Sequence, residues 1–236
     1  MLPDIQKKKG SRTYEMADEL VSVMPGSEQL YPELPCDPQV SFLYSCWHMV
    51  LDSIFGVLGT ALVLVILPCM ALLIYFDSPG PIFYSQERLG LRGKPFRMFK
   101  FRSMRIDAES GGQAIWATQC DTRVTRVGKV LRATHLDELP QVFNILRGDM
   151  SLIGPRPERE VFAVKIAEQN PLYHSRLAVK PGLTGWAQVM FGYGEGDQSE
   201  LKKLQFDLYY IQRRSCWLDC RIILKTLVEV FRFHGR

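Results

Sequence analysis

The sequence predicts an α+β fold that is mostly helical, with one apolar membrane segment and one small β-hairpin ahead of a series of amphipathic helices. Three observations support this fold class. Residues 53–76 contain no charged side chain, and residues 81–104 hold two short stretches of alternating polarity. After residue 125 the apolar residues recur at helical spacing.

The chain begins with a polar leader, residues 1–39, which contains five prolines. Such a segment buries little apolar surface, and we expect it to be poorly ordered. A membrane segment then covers residues 40–76, and a mixed polar and apolar body covers residues 77–236.

The membrane segment contains an uncharged run of 24 residues, enough for a helix to cross a hydrocarbon core of about 30 Å. Pro68 lies inside this run, and proline kinks or breaks a helix because it lacks a backbone donor and clashes with the preceding turn. Two interpretations stay open. Hydropathy alone favours a straight transmembrane helix, and the proline suits a re-entrant helix that enters and leaves the same leaflet. Seven Lys and Arg residues lie between positions 88 and 105. By the positive-inside rule, the chain that follows the membrane segment is expected in the cytoplasm.

Residues 81–90 and 94–104 alternate in polarity on either side of a Leu-Arg-Gly turn, which predicts a β-hairpin. Pairing of these strands would bring Arg88, Lys100 and Arg102 near one another.

Five helices are expected after the hairpin. Thr134 is a candidate N-cap of the second helix, with Asp137 three residues further on. The last two helices are amphipathic, and such helices pack on a core, which we favour here, or lie in a membrane interface. Segments 147–157 and 180–185 are rich in Gly and Pro and are predicted to be loops. The expected helices cover residues 125–132, 134–146, 158–170, 199–214 and 215–233.

The charge balance argues against a nucleic-acid partner, because 29 Lys and Arg against 25 Asp and Glu leave a net charge of only +4. The excess is uneven: residues 1–54 carry −4 and the remainder carries +8. A basic body suits an anionic ligand or an anionic membrane surface. The six cysteines form no C-x-x-C pair, which favours reduced thiols over disulfides or a zinc site.

Asp137 and Glu138 form an adjacent acid pair between basic segments. Adjacent acids at a helix start usually do no more than favour the helix dipole. Here the surrounding cations would keep a carboxylate ionised, and an ionised Asp can attack phosphorus to form a covalent intermediate. A neighbouring Glu suits Mg²⁺, which takes hard oxygen ligands and bridges substrate phosphates.

Gly154-Pro-Arg-Pro157 fixes one arginine on a rigid turn, since proline restricts φ on both sides of Arg156. A guanidinium held in this way can bind phosphate with two hydrogen bonds, although an exposed surface loop is an equal alternative. Lys180 lies in a similar setting, and Gly182 and Gly185 allow a ligand to approach the backbone closely. His135 stands two residues before Asp137, where it either lies near the site or serves in packing.

The motifs SPGPIFYSQERLG, FKFRSM, LDELPQVFNILRGDMSLIGPRPE, VKPGLTGWAQV and LQFDLYYI occur in one chain in this order. The chain from about residue 45 to residue 233 thereby resembles the bacterial sugar transferases, the monotopic phosphoglycosyl transferases. His135, the run after Glu158 and the segment 191–194 are similar to the subgroup linked to exopolysaccharide export. The family commonly has Ser or Thr where His135 stands.

The resemblance implies transfer of a phosphosugar from a UDP-sugar to undecaprenyl phosphate with release of UMP. It implies Asp137 as the nucleophile, Glu138 as a Mg²⁺ ligand, and Pro68 as the break of a re-entrant helix with both ends in the cytoplasm. A catalytic domain at residues 77–236 would then face the cytoplasm at the bacterial inner membrane. Membrane lipids and a second copy of the chain are candidate partners. The residues assigned to substrate phosphate or nucleotide binding are Arg88, Lys100, Arg102, Arg147, Arg156, Lys180 and Gln188.

Two other function classes compete with this assignment. One is a non-catalytic membrane partner that recruits a polysaccharide assembly complex through the basic face. The intact acid pair argues against it. The other is an aspartate-based phosphatase acting on lipid diphosphates, which would release inorganic phosphate rather than UMP.

Overall fold

The structure is a computed structural model that describes residues 40–108, 121–191 and 197–231. The predicted leader at 1–39 lies outside the described residues, as does much of the segments 106–122 and 190–198. The described part is mostly helical and contains two two-stranded sheets, which confirms the α+β class.

Helix α1 covers Phe42–Asp77 and is 36 residues long. It is long and apolar enough to cross a membrane, and only 17% of its most apolar 18-residue stretch is buried against the rest of the chain. One face therefore needs a non-aqueous partner. The other face packs on the body along the whole helix, through residues that recur every three or four positions: Tyr44, His48, Asp52, Gly56, Gly59, Val63, Leu67, Met70, Ile74 and Asp77.

Pro68 lies inside α1, and the helix runs from Phe42 to Asp77 without interruption. The predicted division of the membrane segment into two helices is therefore not confirmed. The side chain of Pro68 is exposed on the apolar outer face. Its missing N–H removes one hydrogen bond from the helix at this point.

The predicted hairpin is confirmed as strands β1 (Phe83–Leu89) and β2 (Pro95–Phe101), which pair antiparallel. Its register corrects one expectation. Arg88 pairs with Phe96 and Lys100 pairs with Tyr84, so the two cations occupy opposite ends of the hairpin. Arg102 lies beyond the end of β2.

Helix α2 covers Arg126–Ala133, as predicted, and begins where Gly128 N donates to Thr125 Oγ1 at 2.9 Å. The helix expected next is instead a 3₁₀ helix at Leu136–Gln141 followed by α3 at Val142–Leu146. Thr134 is not its N-cap. The Thr134 hydroxyl donates to Val130 O at 2.8 Å and so belongs to the end of α2.

Two short strands lie within segments predicted to be loops. Strand β3 (Ser151–Ile153) pairs parallel with β4 (Gly182–Thr184). Their flanking glycines approach each other rather than a ligand: a Cβ on Gly182 would lie 2.1 Å from Gly154 N. Only residues without side chains fit where the two backbones cross.

The remaining helices form the far side of the body. They are α4 (Glu160–Gln169), a 3₁₀ helix at Pro171–Ala178, α5 (Trp186–Phe191), α6 (Asp197–Arg213) and α7 (Cys216–Phe231). Three of them match the predicted helices at 158–170, 199–214 and 215–233. Helix α7 buries Ile222 in the core and exposes 73% of Trp217. Its core packing is thus confirmed for one face, while the opposite face carries exposed apolar residues.

Candidate active site

The acid pair lies on the 3₁₀ helix Leu136–Gln141, which follows a left-handed residue, His135, with φ 57°. Leu136 and Leu139 are three residues apart and share one face of a 3₁₀ helix. Both pack in the apolar cluster against α1. Asp137 and Glu138, which lie between them in sequence, are directed to other faces.

Asn144 holds this segment beside the hairpin. Its side chain is fully buried, accepts a hydrogen bond from Phe99 N at 3.0 Å, and donates to Arg97 O at 2.7 Å. The amide thereby replaces a strand partner along the edge of β2. As a result, Lys100 lies within reach of Glu138.

Glu138 is the centre of an ion-pair cluster. Its Oε1 accepts a hydrogen bond from Lys100 Nζ at 2.8 Å, and its Oε2 accepts one from Arg156 Nη1 at 3.1 Å. Arg156 Nη2 also donates to Oε1. Burial would raise the pKa of this carboxyl, but the charges and hydrogen bonds of Arg156 and Lys100 outweigh it and hold the pKa well below its usual range. Glu138 is therefore ionised at neutral pH.

Asp137 differs from its neighbour. It is 6% exposed, and within the described part of the chain no group donates a hydrogen bond to its carboxylate. Burial raises its pKa to about 6, against the lowering charges of Lys100, Arg132 and Arg156. The carboxylate is mostly ionised above that pH, and its oxygens remain available to an electrophile.

The environment of Asp137 includes two residues outside the predicted set of phosphate ligands. Arg132, in the last turn of α2, lowers the pKa of Asp137 by its charge and donates from Nε to Ser103 Oγ at 3.0 Å. His135 interacts electrostatically with Glu138 and so lies beside the site. Burial lowers the pKa of His135 and keeps the ring neutral at pH 7.

The position of Arg156 depends on a buried group that sequence reasoning missed. Arg176 Nη2 donates to the Arg156 carbonyl at 3.0 Å, and Arg176 Nε donates to Asp207 Oδ2 at 2.7 Å. Both side chains of this ion pair are almost fully buried. The pair fixes the loop that carries Arg156 to helix α6. Its partners lie 31 residues apart, so no local motif marks them.

Of the seven residues assigned to substrate binding, the structure brings Lys100 and Arg156 onto the acid pair. Arg88 is within electrostatic range of Arg156 but lies at the other end of the hairpin from Lys100. It pairs with Glu158 and donates to Pro157 O at 3.4 Å. Arg102 instead holds the carbonyls of Ser78 and Pro79, at the end of α1.

The other three assigned residues lie elsewhere. Arg147 is 64% exposed and pairs with Asp149 at 3.6 Å. Gln188, on α5, donates to Leu183 O at 3.0 Å, on the neighbouring strand β4. Lys180 lines a separate cavity beside α1.

The magnesium role expected for Glu138 remains a prediction. Its Oε2 accepts a single hydrogen bond, from Arg156 Nη1 at 3.1 Å, which leaves a lone pair for an ion that substrate phosphates would also bind. Chemically, the site offers one accessible carboxylate beside three positive side chains, an arrangement suited to an electrophile that carries several negative charges.

Comparison with known proteins adds a family match. The family model for bacterial sugar transferases matches residues 43–233. A protein of Aeromonas hydrophila, named UDP-N-acetylgalactosamine-undecaprenyl-phosphate N-acetylgalactosaminephosphotransferase, is 45% identical over 82% of this chain and 45% of its own length.

Two further relatives are covered over more of their length. A UDP-glucose:undecaprenyl-phosphate glucose-1-phosphate transferase of Caulobacter vibrioides is 40% identical over 90% of this chain and 80% of its own length. An exopolysaccharide production protein of Rhizobium leguminosarum is 40% identical over 75% of this chain and 92% of its own length. The chain nevertheless spans less than half the length of several curated relatives that it matches.

Proposed function

The chain belongs to the bacterial sugar transferase family, and on that premise we propose that it transfers a sugar 1-phosphate from a UDP-sugar to undecaprenyl phosphate. UMP is released, and the lipid-linked product starts an exopolysaccharide or a related glycoconjugate. The names of the relatives support this donor and acceptor, since they pair UDP-sugars with undecaprenyl phosphate.

The observation that carries the proposal is the contrast between the two adjacent acids. Glu138 is held by Lys100 and Arg156, whereas Asp137 is buried among cations with its oxygens open. A carboxylate that had only a structural role would be hydrogen-bonded when buried. Asp137 is therefore assigned as the nucleophile.

The transfer takes place in two displacements. First, an Asp137 oxygen attacks the phosphorus that bears the sugar, and the bond from this phosphorus to the UMP oxygen breaks. UMP leaves with that electron pair, and a phosphosugar remains on Asp137. An oxygen of undecaprenyl phosphate then attacks the same phosphorus and returns the carboxylate of Asp137 to its free form. Because the first product leaves before the lipid reacts, the two anionic substrates need not be bound together.

The positive side chains hold and orient the donor. Arg156 is partly exposed and faces the site from a fixed loop, and Lys100 reaches it from β2. Arg132 lies on the opposite, α2 side of Asp137. Together they neutralise the diphosphate and the charge that develops on the leaving UMP. A requirement for Mg²⁺ is a separate prediction, and metal titration tests it.

The packing of α1 supports a monotopic placement in the cytoplasmic leaflet of the inner membrane. Asp52 near its start accepts from Leu152 N at 2.7 Å, and Asp77 at its end accepts from Val127 N at 2.8 Å. The body also packs on α1 between these two contacts, so a helix that crossed the bilayer would carry part of that charged body into hydrocarbon. We therefore infer that the exposed face of α1 enters one leaflet and that both of its ends stay on the cytoplasmic side.

Intact-mass measurement tests the chemistry directly. Purified full-length protein receives a panel of UDP-sugars without any lipid acceptor. The expected result is UMP release equivalent to one turnover and a protein mass increased by one phosphosugar. Asp137→Asn should give neither, and Glu168→Gln, which removes an exposed acid on α4, should behave as wild type. Near-normal turnover by Asp137→Asn would refute the nucleophile, and release of inorganic phosphate instead of UMP would favour the phosphatase.

A further inference from the structure

A cavity of about 390 Å³ lies between the first turns of α1 and the body, and its lining does not include Asp137 or Glu138. This volume is within the range of about 300–1,000 Å³ that small-molecule sites commonly have. The polar side chains in its wall are Tyr44, His48, Asp52, Ser151, Lys180 and Arg214.

The acids at this cavity are already satisfied by the chain itself. Asp52 Oδ1 accepts hydrogen bonds from Ser151 Oγ at 2.9 Å and Leu152 N at 2.7 Å. Asp219, which lies behind the wall and is fully buried, accepts from Tyr210 at 3.2 Å and lies 3.1 Å from His48 Nε2. The charge of Asp219 is thus kept inside the protein, and the negative charge of Asp52 at the wall is partly neutralised by the two donors to its Oδ1.

The cations of the wall are placed differently. Lys180 is exposed, and across the described ranges its ammonium group forms no ion pair or hydrogen bond. The guanidinium of Arg214 lies over the ring of Tyr44, 6.0 Å from its centroid. Both ring nitrogens of His48 have partners within the protein, Ser151 Oγ at 3.3 Å from Nδ1 and Asp219 Oδ2 at 3.1 Å from Nε2, so Lys180 and Arg214 are the groups left to meet a ligand's charge. The cavity therefore presents positive charge and suits an anion.

The surroundings of the cavity are apolar and face outward. Phe42 and Leu43, at the start of α1, are 79% and 77% exposed, and Met49 and Val50 are also exposed. The inner wall adds Ile145, Leu146 and Val179. A water-soluble nucleotide would leave this apolar border exposed to water. A lipid would cover it with its hydrocarbon chain while its charged headgroup enters the cavity.

We propose that this cavity binds the phosphate headgroup of a membrane lipid whose hydrocarbon chain lies along the exposed start of α1. The proposal rests on the membrane placement of α1 argued above. Two lipids share the required chemistry: the polyprenyl phosphate acceptor, and an anionic phospholipid that anchors the protein. The site would hold the headgroup by Lys180 and Arg214 at the edge of the leaflet, on the side where the acceptor arrives.

Native mass spectrometry of the full chain in detergent tests this site by titration with undecaprenyl phosphate and, separately, with dioleoylphosphatidylglycerol. Lys180→Gln should weaken binding of at least one lipid by roughly tenfold to a hundredfold, the loss expected for one charge-assisted hydrogen bond. Lys180→Glu should weaken it further, and Arg214→Gln should act in the same direction. Lys94→Gln, which removes an exposed cation at the turn of the hairpin, is the matched control and should change neither titration.

The outcomes separate the two lipids. Loss confined to undecaprenyl phosphate assigns the cavity to the acceptor, and loss confined to the phospholipid, or shared by both, assigns it to lipid phosphates of the bilayer. Unchanged binding of both lipids by all three cavity variants would overturn the proposal. Variants that bind UDP more weakly, while they bind both lipids as the wild type does, would also overturn it. The acceptor-free mass increase on Asp137 is measured in the same samples. Its absence in the wild type would refute the proposed function and would leave the lipid affinities, and the site they define, unaffected.

Discussion

Replacing Asp137 with Asn should stabilise the folded protein at neutral pH while it abolishes transfer. Burial raises the pKa of Asp137 to about 6 in the fold, whereas an unperturbed aspartate titrates near 3.9. The folded state therefore favours the protonated form of Asp137. At neutral pH, where the nucleophile must be ionised, its charge lowers the free energy of unfolding. Asn has the shape of the protonated carboxyl and carries no charge.

The size of the stabilisation by Asp137→Asn follows from the two pKa values. A difference of about two pH units corresponds to about 3 kcal/mol at most, since one unit is about 1.4 kcal/mol. The pKa of about 6 already includes the attraction to Lys100 and Arg132. The buried amide of the Asn, which has no partner in this site, offsets part of the gain and leaves about 1–3 kcal/mol. A raised carboxyl pKa adds stability below the unfolded pKa that is lost as the pH rises through the folded value. The advantage of the variant should therefore grow from about pH 4 to pH 6 and stay constant above it.

Thermal unfolding in one detergent, at pH 7.5 and again near pH 4, measures this effect. For a chain of this size, 1 kcal/mol moves Tm by roughly 2–4 °C, so Asp137→Asn should raise Tm by roughly 2–10 °C at pH 7.5. The difference should shrink to nearly nothing near pH 4. Glu168→Gln should leave Tm unchanged at both values. If Asp137→Asn lowers Tm at pH 7.5, or raises it as much near pH 4 as at pH 7.5, then burial of the ionised Asp137 does not destabilise the fold as argued.

Four further substitutions test other parts of the structure. Glu138→Gln should lower the free energy of unfolding by about 2–3 kcal/mol and reduce turnover, because its two cations lose their carboxylate. If Glu138 holds Mg²⁺, the half-saturating Mg²⁺ concentration should rise by roughly tenfold, and an unchanged value would argue against that role. Gly59→Ala should cost about 1–3 kcal/mol, since its Cβ would meet Val142 Cγ1 at 2.6 Å. Gly56→Ala would meet Leu146 Cδ2 at 2.5 Å, but Leu146 is 48% exposed and can move aside, whereas Val142 is fully buried. Gly56→Ala should therefore cost less, and equal losses would argue against this reasoning. Asp207→Asn should raise the donor KM more than it lowers kcat, because it loosens the arginine that fixes the phosphate loop; an unchanged KM would separate that ion pair from donor binding.

The parts of the fold that sequence predicted correctly depend on local patterns. The alternation on both sides of a Leu-Arg-Gly turn was enough for the hairpin, and helical spacing was enough for the helix at 125–132, which Thr125 caps in the structure. Thr134 has the same side chain as Thr125 but does not lie at the start of a helix. The chain turns through the left-handed His135 directly after it, so its hydroxyl closes one helix rather than opening the next.

The parts that sequence did not predict depend on partners far apart in the chain. Strands β3 and β4 have three residues each and gain their structure only from pairing with one another. The resemblance identified Asp137 and Glu138 as a pair with divided roles, but the ion pairs of Glu138 with Lys100 and Arg156 became visible only in the folded chain. Likewise, Asp207 lies in a motif that carries the resemblance, yet its charge partner could not be read from spacing.

The packing of α1 also decides how this protein can be handled in the laboratory. Val63 on α1 and Val142, Leu131 and Phe101 on the body share one apolar cluster, so α1 supplies part of the core as well as the anchor. A fragment trimmed to the body would expose that cluster to water and should aggregate. A water-soluble version is better sought by keeping α1 and exchanging only its outward residues, such as Leu58, Leu62 and Val65, for polar ones.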